Sequence, residues 1–218
     1  MKLYGAALSP YVARVLLQIR RKGLDIPLVP PPDGDMKSPA YRAINPYGKM
    51  PALDAGEGCV IESEVICEYL EERFPDIPML PSAPLDRARS RTISRAVDFY
   101  ILQPLVGLFG QMNPATRDRA AVEQKLAELT KGLDGLNSLL KGPWAVAPTM
   151  MLADCALIPA CFYLERFLPL FDAGDLFRRY PALEQVWTTA KADPLVTDLL
   201  AEMASSLEKF MMRRAANT

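Results

Sequence analysis

Five residues near the start of the chain, Leu8-Ser9-Pro10-Tyr11-Val12, lie where a strand-like pattern gives way to a helical one. The preceding run, Lys2–Tyr4, is short and β-like, and the following helix face is apolar at Val12, Val15, Leu16 and Ile19. Because proline is favoured in the first turn of a helix, the Ser9 hydroxyl is expected beside a helix N-terminus. Unpaired backbone N–H groups and the positive end of the helix dipole meet there. By itself, this placement is more typical of a serine that only caps the helix.

The first part of the chain continues to alternate strand and helix patterns. A second strand is predicted at 26–29, and it completes a β-α-β unit whose crossover is right-handed if the strands are parallel. Two short apolar runs at 50–53 and 59–61 flank an acidic, glycine-containing turn, which is a hairpin signature. A helix is predicted from Ser63 to about Arg73.

A run of prolines at intervals of three residues ends this alternation and predicts a linker: Pro75, Pro78, Pro81 and Pro84. A long helix is predicted beyond it at 85–110, with a kink near Pro104. An almost entirely apolar helix is predicted at 152–166, where it would be buried. Further helices are predicted at 126–140, 181–191 and 195–212. The resulting architecture is an α/β domain at residues 1–75, a linker at 76–84 and an all-α domain at 85–218.

The overall charge of the chain is close to neutral. The 218 residues include 25 Lys or Arg and 26 Asp or Glu, which gives a net charge of -1. This balance provides no electrostatic reason to expect nucleic acid or an anionic membrane as a partner. The N-terminal segment lacks a signal-peptide pattern, and no apolar stretch is long enough to span a bilayer, so a cytoplasmic protein is expected.

The most restrictive feature of the composition is the absence of histidine. It excludes Ser–His and Cys–His nucleophile pairs, histidine general bases and most catalytic zinc sites. The four cysteines lie in apolar runs without metal-binding spacing, so we expect reduced, buried thiols and no metal. Chemistry in this chain must therefore use hydroxyls, carboxylates, amines, backbone dipoles or a group supplied by a ligand.

A second candidate segment is Asn45-Pro46-Tyr47-Gly48-Lys49-Met50-Pro51. Proline at the start of a strand donates no hydrogen bond to the ladder, and in a tight turn it can be held cis. A cis peptide before Pro51 would turn the N–H and C=O of Met50 outward, where they could pair with an extended peptide as an added strand does. The alternative is an ordinary junction between a loop and a strand.

A third candidate is Glu62-Ser63, which ends the hairpin and opens the next helix. Backbone N–H groups at a helix start, together with the Ser63 hydroxyl, suit a carboxylate. Glu62 beside them could receive an α-ammonium, so the pair would fit the head group of one amino acid. In the alternative interpretation, Ser63 only caps the helix and Glu62 is solvated.

The order and spacing of these three segments resemble those of the cytosolic glutathione transferase family, in a bacterial-type form with a serine-type active site. The resemblance covers essentially the whole chain, including the proline-bearing linker and the helical second half. It implies a thioredoxin-like N-terminal domain that binds glutathione and a helical C-terminal domain that supplies most of the co-substrate pocket. It also implies a homodimer. Glutathione would be a co-substrate, and no metal would be required.

The resemblance implies that Ser9 is the catalytic residue. The segment 8–12 is similar to a C-P-Y-C thiol-redox loop in which Ser9 and Val12 replace both cysteines. Glutathione would bring the sulfur, and a hydroxyl at a helix N-terminus would stabilise its thiolate. Two alternative hydroxyl donors are Tyr4, which is expected to be buried in the first strand, and Tyr11, which could instead line the pocket.

The resemblance also implies binding residues. For glutathione they are Lys37, Lys49, Met50, Pro51, Glu62 and Ser63. Met50 would bind the cysteinyl backbone beside a cis-proline, Glu62 and Ser63 would hold the γ-glutamyl head, and the two lysines would face the glycyl carboxylate. For the co-substrate the candidates are Tyr11, Tyr100, Leu105, Leu108, Phe109 and Met112. Such a pocket would favour a small hydrophobic, aromatic electrophile, although apolar residues at helical spacing are alternatively part of a core.

Three functions remain open at the level of sequence. The first is a transferase that conjugates glutathione to hydrophobic electrophiles, as in detoxification. The second is another glutathione-dependent enzyme of the same fold: a lyase or etherase, a dehalogenase, a peroxidase or an isomerase. The third is a binding or regulatory protein that retains the fold without turnover.

One position departs from the pattern of the family. The buried helix of the second domain usually opens with Ser/Thr-x-x-Asp, and here Asp154 matches while Met151 occupies the position of the cap. If nothing caps that end, the loss of stability is expected to be about 1 kcal/mol.

Overall fold

The computed structural model describes the backbone of residues 1–216 and the side chains of residues 1–212. Its contacts divide the chain into two compact units. The first unit comprises Met1–Met79 together with the chain from Asp193 onward, and the second comprises Leu80–Ala192. Within residues 1–216, no helix is both long enough and apolar enough to cross a bilayer.

A four-stranded sheet forms the centre of the first unit. Its strands are β1 (Lys2–Tyr4), β2 (Leu28–Val29), β3 (Ala52–Asp54) and β4 (Cys59–Ile61). They lie in the order β2-β1-β3-β4, with β1 parallel to β2 and the other pairs antiparallel. The predicted β-α-β unit and the predicted hairpin are therefore both present.

Four helices accompany this sheet: α1 (Pro10–Arg21), α2 (Pro39–Ile44), α3 (Ser63–Arg73) and α9 (Pro194–Ala216). The sequence patterns predicted α1 and α3 but assigned no element to the short α2. Ser38 caps α2, because its hydroxyl accepts a hydrogen bond from the Tyr41 N–H at 3.1 Å. Helix α1 packs against both α3 and α9.

Helix α9 lies with the first unit, whereas the sequence analysis placed residues 85–218 in a single helical domain. An ion pair contributes to this association, with the Arg20 guanidinium on α1 at 2.7 Å from the Glu202 carboxylate. Proximity in the sequence favours grouping α9 with the helices before it, but its tertiary contacts with α1 are independent of that order.

The second unit is helical. Its helices are α4 (Pro84–Ala96), α5 (Gln103–Phe109), α6 (Arg119–Leu139), α7 (Leu152–Phe167) and α8 (Pro181–Lys191). Helix α7 is buried along nearly its whole length, as its apolar sequence predicted. Three of the four cysteines are also buried, but Cys59 on β4 is exposed, so the prediction of a buried thiol was wrong at that position.

The start of α7 is capped from inside the helix despite the missing hydroxyl at position 151. The buried Asp154 carboxylate accepts hydrogen bonds from the N–H groups of Met151 and Ala145, both at 2.8 Å. Burial raises the pKa of Asp154 to about 7, while these backbone donors act in the opposite direction. The loss of one cap hydroxyl therefore leaves the helix end satisfied.

A π-helical turn at Val97–Leu102 joins α4 to α5 just before Pro104. Proline has no N–H to donate to the carbonyl four residues earlier, which here belongs to Tyr100. Helix α6 approaches that carbonyl at Gly132, where a Cβ atom would overlap the Tyr100 oxygen. The junction thus requires glycine on the facing helix because of the close approach of two backbones.

We predict that Gly132→Ala lowers the free energy of unfolding by about 1–3 kcal/mol, because the added methyl must displace the Tyr100 backbone. Gly135→Ala is the matched control on the same helix, since nothing lies within 4 Å of the place that its added methyl would occupy. Because alanine has a higher helix propensity than glycine, Gly135→Ala should be more stable than the wild-type protein by about 0.5–1 kcal/mol. Urea unfolding measures both changes, and equal stabilities for the two variants would contradict the proposed close approach.

Candidate active site

The three candidate segments converge on one edge of the sheet because of strand register. Tyr4 at the end of β1 pairs with Ala52, and Ala52 pairs with Ile61 at the end of β4. The chain continues from Tyr4 toward Ser9, Pro51 directly precedes Ala52, and Glu62 directly follows Ile61. The hydroxyl, the proline turn and the start of α3 are therefore gathered at the same edge.

Ser9 occupies the N-cap position of α1 with an extended backbone, φ -72° and ψ 125°. Its N–H donates to the Ala6 carbonyl and its own carbonyl accepts from the Ala13 N–H, both at 2.9 Å. The half-buried side chain makes no capping hydrogen bond, and the first turn of the helix carries no acidic residue. The hydroxyl and the positive end of the helix dipole are thus both available to an anion.

The segment before Pro51 is a turn held by two buried side chains. The Asn45 side-chain amide and the Tyr41 hydroxyl donate to the Lys49 carbonyl at 2.7 and 2.8 Å, respectively. Asn45 also accepts from the Tyr47 N–H at 3.1 Å. The Met50–Pro51 peptide bond is cis, as predicted from the sequence. Sequence reasoning missed Tyr41 and Asn45, although an asparagine before a proline turn is a known signal for such bonding.

Glu62 and Ser63 differ in exposure and in backbone conformation. Glu62 is exposed and has a φ of 69°, which is unfavourable for a residue other than glycine. Such conformations cluster at functional sites, where the surrounding structure holds them in place. Ser63 is buried and is the first residue of α3. No sequence pattern indicated the backbone conformation of Glu62.

Arg14 is a residue of this region that the sequence analysis missed. It lies on α1, is 1% exposed, and directs its guanidinium to the start of α3. That group donates to the Ser63 hydroxyl at 3.4 Å and pairs with the Glu64 carboxylate at 3.1 Å. A cation between Ala13 and Val15, inside the otherwise apolar run 12–17, was the available signal.

The remaining candidates of the first unit lie around this edge. Lys37 and Lys49 are exposed cations in the loops before β3. Tyr11 is half-buried in the first turn of α1, with its ring centre 5.8 Å from the Arg14 guanidinium. Tyr4 is buried in β1 against the Tyr41 ring, in agreement with the expectation that it has a buried role.

In the second unit, the predicted co-substrate residues separate into different environments. Leu105 and Leu108 are 0% exposed and form part of the helical core, so their assignment to a pocket surface was wrong. Phe109 packs on Phe167 with ring centres 4.8 Å apart, and Met112 is half-buried. Tyr100 is exposed and faces a groove between the α4–α5 region and α6. The apolar periodicity that selected all these residues is also the pattern of a core.

A cavity of about 410 Å³ lies within the first unit at the carboxyl ends of β1 and β2. Its walls are residues 5–7, residues 28–30 and part of α9, where polar groups come from Glu202, Ser205, Ser206 and Lys209. Ligands of open α/β sheets commonly bind outside the carboxyl ends of parallel strands. The sequence analysis did not anticipate a contribution of α9 to this edge. Among the described residues, no cluster of three His, Cys, Asp or Glu side chains could hold a metal ion.

Comparisons with known proteins agree with this arrangement. A family model for the N-terminal domain of glutathione S-transferases matches residues 3–78. A maleylacetoacetate isomerase of Pseudomonas aeruginosa is 34% identical over 209 residues, which cover 88% of this chain and 98% of that protein. A glutathione S-transferase of Methylobacterium radiotolerans, crystallised with glutathione sulfonate, superposes with a TM-score of 0.75 at 28% identity, over 91% of this chain and 93% of that one. A maleyl pyruvate isomerase, described as a bacterial glutathione S-transferase of the Zeta class, gives a TM-score of 0.73 at 26% identity, over 91% and 96%.

The chain therefore belongs to the glutathione S-transferase family. Its fold is the glutathione S-transferase fold, with a thioredoxin-like sheet followed by a mostly helical remainder, as the resemblance implied. The relatives named above include both glutathione S-transferases and isomerases.

Proposed function

We propose that this protein binds glutathione at the edge formed by Ser9, Pro51 and Ser63, and that Ser9 activates the thiol. The observation that carries the proposal is the Ser9 side chain, which lies at the N-terminus of a twelve-residue helix and makes no capping hydrogen bond there. Its hydroxyl can donate to a sulfur anion, and the helix dipole favours the same charge.

Thiol activation at this position needs no histidine. A thiol with a pKa near 8.5 is only a few per cent thiolate at neutral pH, so activation consists of stabilising the anion. Lowering that pKa by about two units corresponds to about 2.7 kcal/mol of preference for the thiolate. A charge-assisted hydrogen bond contributes about 1.5–3 kcal/mol and a helix terminus about 0.3–1 kcal/mol, so together they supply this amount.

The rest of glutathione would be held by the neighbouring segments. The Met50 backbone would pair with the cysteinyl residue, because within the described residues no hydrogen bond involves it. The α-carboxylate of the γ-glutamyl group would bind at Ser63 and the α3 N-terminus, with the α-ammonium near Glu62. Lys49 and Lys37 would face the glycyl carboxylate.

Two reactions of the activated thiol are proposed. In the first, the thiolate attacks a small hydrophobic, aromatic electrophile and remains attached to it, as in a transferase. In the second, the thiolate adds to one carbon of a cis double bond, the resulting single bond rotates, and expulsion of the thiolate leaves the trans isomer and free glutathione. The second reaction is favoured by two relatives named as isomerases of maleylacetoacetate and maleyl pyruvate.

The cavity beside β1 and β2 is proposed as the place of the co-substrate. It adjoins the loop that leads to Ser9. Two serines, Lys209 and Glu202, whose carboxylate is paired with Arg20, give it polar character. These groups suit a substrate that carries carboxylates better than a wholly apolar one. The cavity therefore also supports isomerisation, whereas conjugation of an aromatic electrophile rests on the membership of the family.

We also propose that the protein is a homodimer. In the second unit, a groove of about 1110 Å³ lies between the α4–α5 region and α6 and exposes Phe99 and Tyr100. Its charged lining is mainly cationic, with one carboxylate, that of Glu128, against four cations: Arg91, Arg95, Lys125 and Lys131. In the first unit, the outer face of α3 presents Val65 with Glu68 and Glu72. A second copy whose α3 packs into this groove would match charge and bury apolar surface on both sides.

We expect Ser9→Ala to raise the pKa of the thiol of bound glutathione by about one to two units, because the hydrogen bond to the thiolate is lost. Thiolate absorbance in the ultraviolet, followed against pH with bound glutathione, measures the shift. Ser9→Thr keeps the hydroxyl and should retain most of the effect. An unchanged pKa in the alanine variant would show that another group activates the thiol.

The two proposed reactions differ in whether glutathione is consumed. Incubation with a generic aryl halide should consume one thiol per product if the protein is a transferase. Incubation with maleylacetoacetate should yield the trans isomer with no loss of free thiol if it is an isomerase, which is the outcome we expect to be faster. A well-folded protein that catalyses neither reaction would contradict both proposals.

We expect Tyr100→Asp to convert the dimer into a monomer, because the change removes an aromatic ring from the groove and adds a carboxylate that would face the acidic side chains of the second copy's α3. Light scattering coupled to gel filtration reports the molar mass. Leu85→Asp introduces the same charge at an exposed position of α4 outside the groove, so it should leave the dimer intact. A monomeric wild-type protein would refute the proposed interface.

A further inference from the structure

Helix α1 and the residue directly after it carry three buried polar side chains at intervals of four residues. Arg14, Gln18 and Lys22 are 1%, 0% and 6% exposed. This spacing places them on one face of the helix, one turn apart. We call these three residues the polar row of α1.

Each member of the polar row contacts α3 or the chain just after it. The Gln18 amide donates to the Cys67 carbonyl at 2.9 Å. The Lys22 ammonium pairs with the Glu71 carboxylate at 2.7 Å and also donates to the carbonyls of Phe74 and Ile77. The Arg14 guanidinium donates to the Ser63 hydroxyl and to the Glu64 carboxylate. The partners on α3 therefore recur about every four residues as well.

A row of this kind fixes the axial position of one helix against another. Apolar side chains tolerate small displacements, whereas hydrogen bonds weaken once the donor and acceptor separate. A shift of one residue along a helix is about 1.5 Å, which is enough to break all of these contacts. Because burying two cations is costly unless they are paired, the arrangement that pairs both is strongly preferred over displaced ones.

The N-terminal ends of α1 and α3 form the two halves of the proposed site. Helix α1 begins directly after Ser9 and α3 begins at Ser63, so the contacts of Arg14, the member of the row nearest these two ends, connect the hydroxyl-bearing end to the carboxylate-binding end. Arg14 alone among the three contacts Ser63 itself. Its charge is compensated by Glu64 at 3.1 Å, so its effect on a bound carboxylate is mainly geometric.

We propose that Arg14 is a positioning residue for glutathione: it orients the Ser63 hydroxyl and the first turn of α3 toward the α-carboxylate of the γ-glutamyl group. This inference rests on the proposed function. Lys22 belongs to the same row but contacts the far end of α3, so it contributes to stability without affecting that carboxylate.

The test compares Arg14→Lys, Arg14→Met and Lys22→Met in the full-length protein. Calorimetry is carried out with glutathione and with an analogue whose γ-glutamyl α-carboxylate is an amide. Both Arg14 variants should bind glutathione about 10- to 100-fold more weakly, since a misplacement of about 1 Å has effects of that size. The same variants should bind the amide analogue with nearly the wild-type affinity, and kcat at saturating glutathione should change little.

Lys22→Met should lower the thermal stability while leaving glutathione affinity unchanged, which separates positioning from folding. If Arg14→Met does not fold, Arg14→Lys decides the question, because it keeps the buried charge and loses only the forked geometry. Equal losses of affinity for glutathione and for the amide analogue would overturn the role of Arg14, and so would unchanged affinity for both. Absence of glutathione binding by the wild-type protein would instead overturn the proposed function and this inference with it.

Discussion

The register of the central sheet is the constraint on which the rest of the structure depends. Tyr4, Ala52 and Ile61 lie side by side on three strands, so the chain segments beyond them emerge at one edge. None of these three residues takes part in the proposed chemistry. A shift of one residue in any pairing would turn each strand over and separate the Ser9 loop from the proline turn and the start of α3.

A site formed in this way can stabilise a sulfur anion with few ionisable groups. The chain contains no histidine, and the described residues provide no metal cluster. Two helices instead direct their N-termini to the same edge, and each begins with a serine or directly after one. Helix ends and hydroxyls stabilise negative charge at any pH near neutrality, because neither has to change its protonation state. Arg14, the member of the polar row nearest the site, connects α1 to the start of α3.

The local patterns predicted much of this unit correctly. The strands β1, β3 and β4 and the helices α1 and α3 follow from signals contained within a few residues, and the family resemblance implied the cis peptide before Pro51. Prediction failed where one pattern has two meanings. Apolar residues at helical spacing were assigned to a pocket at Leu105 and Leu108, although both lie in the core, and Cys59 was expected to be buried although it is exposed.

The sequence by itself determined the family resemblance, the order of strands and helices along the chain and the identity of the candidate groups, because each of these is encoded by short-range spacing. Only the tertiary structure decided that α9 lies with the first unit, that Glu62 has a positive φ, and that Arg14 reaches Ser63 across 49 positions of the chain. These features arise from contacts between segments that are distant in sequence, and no local propensity specifies the partner of a buried polar side chain.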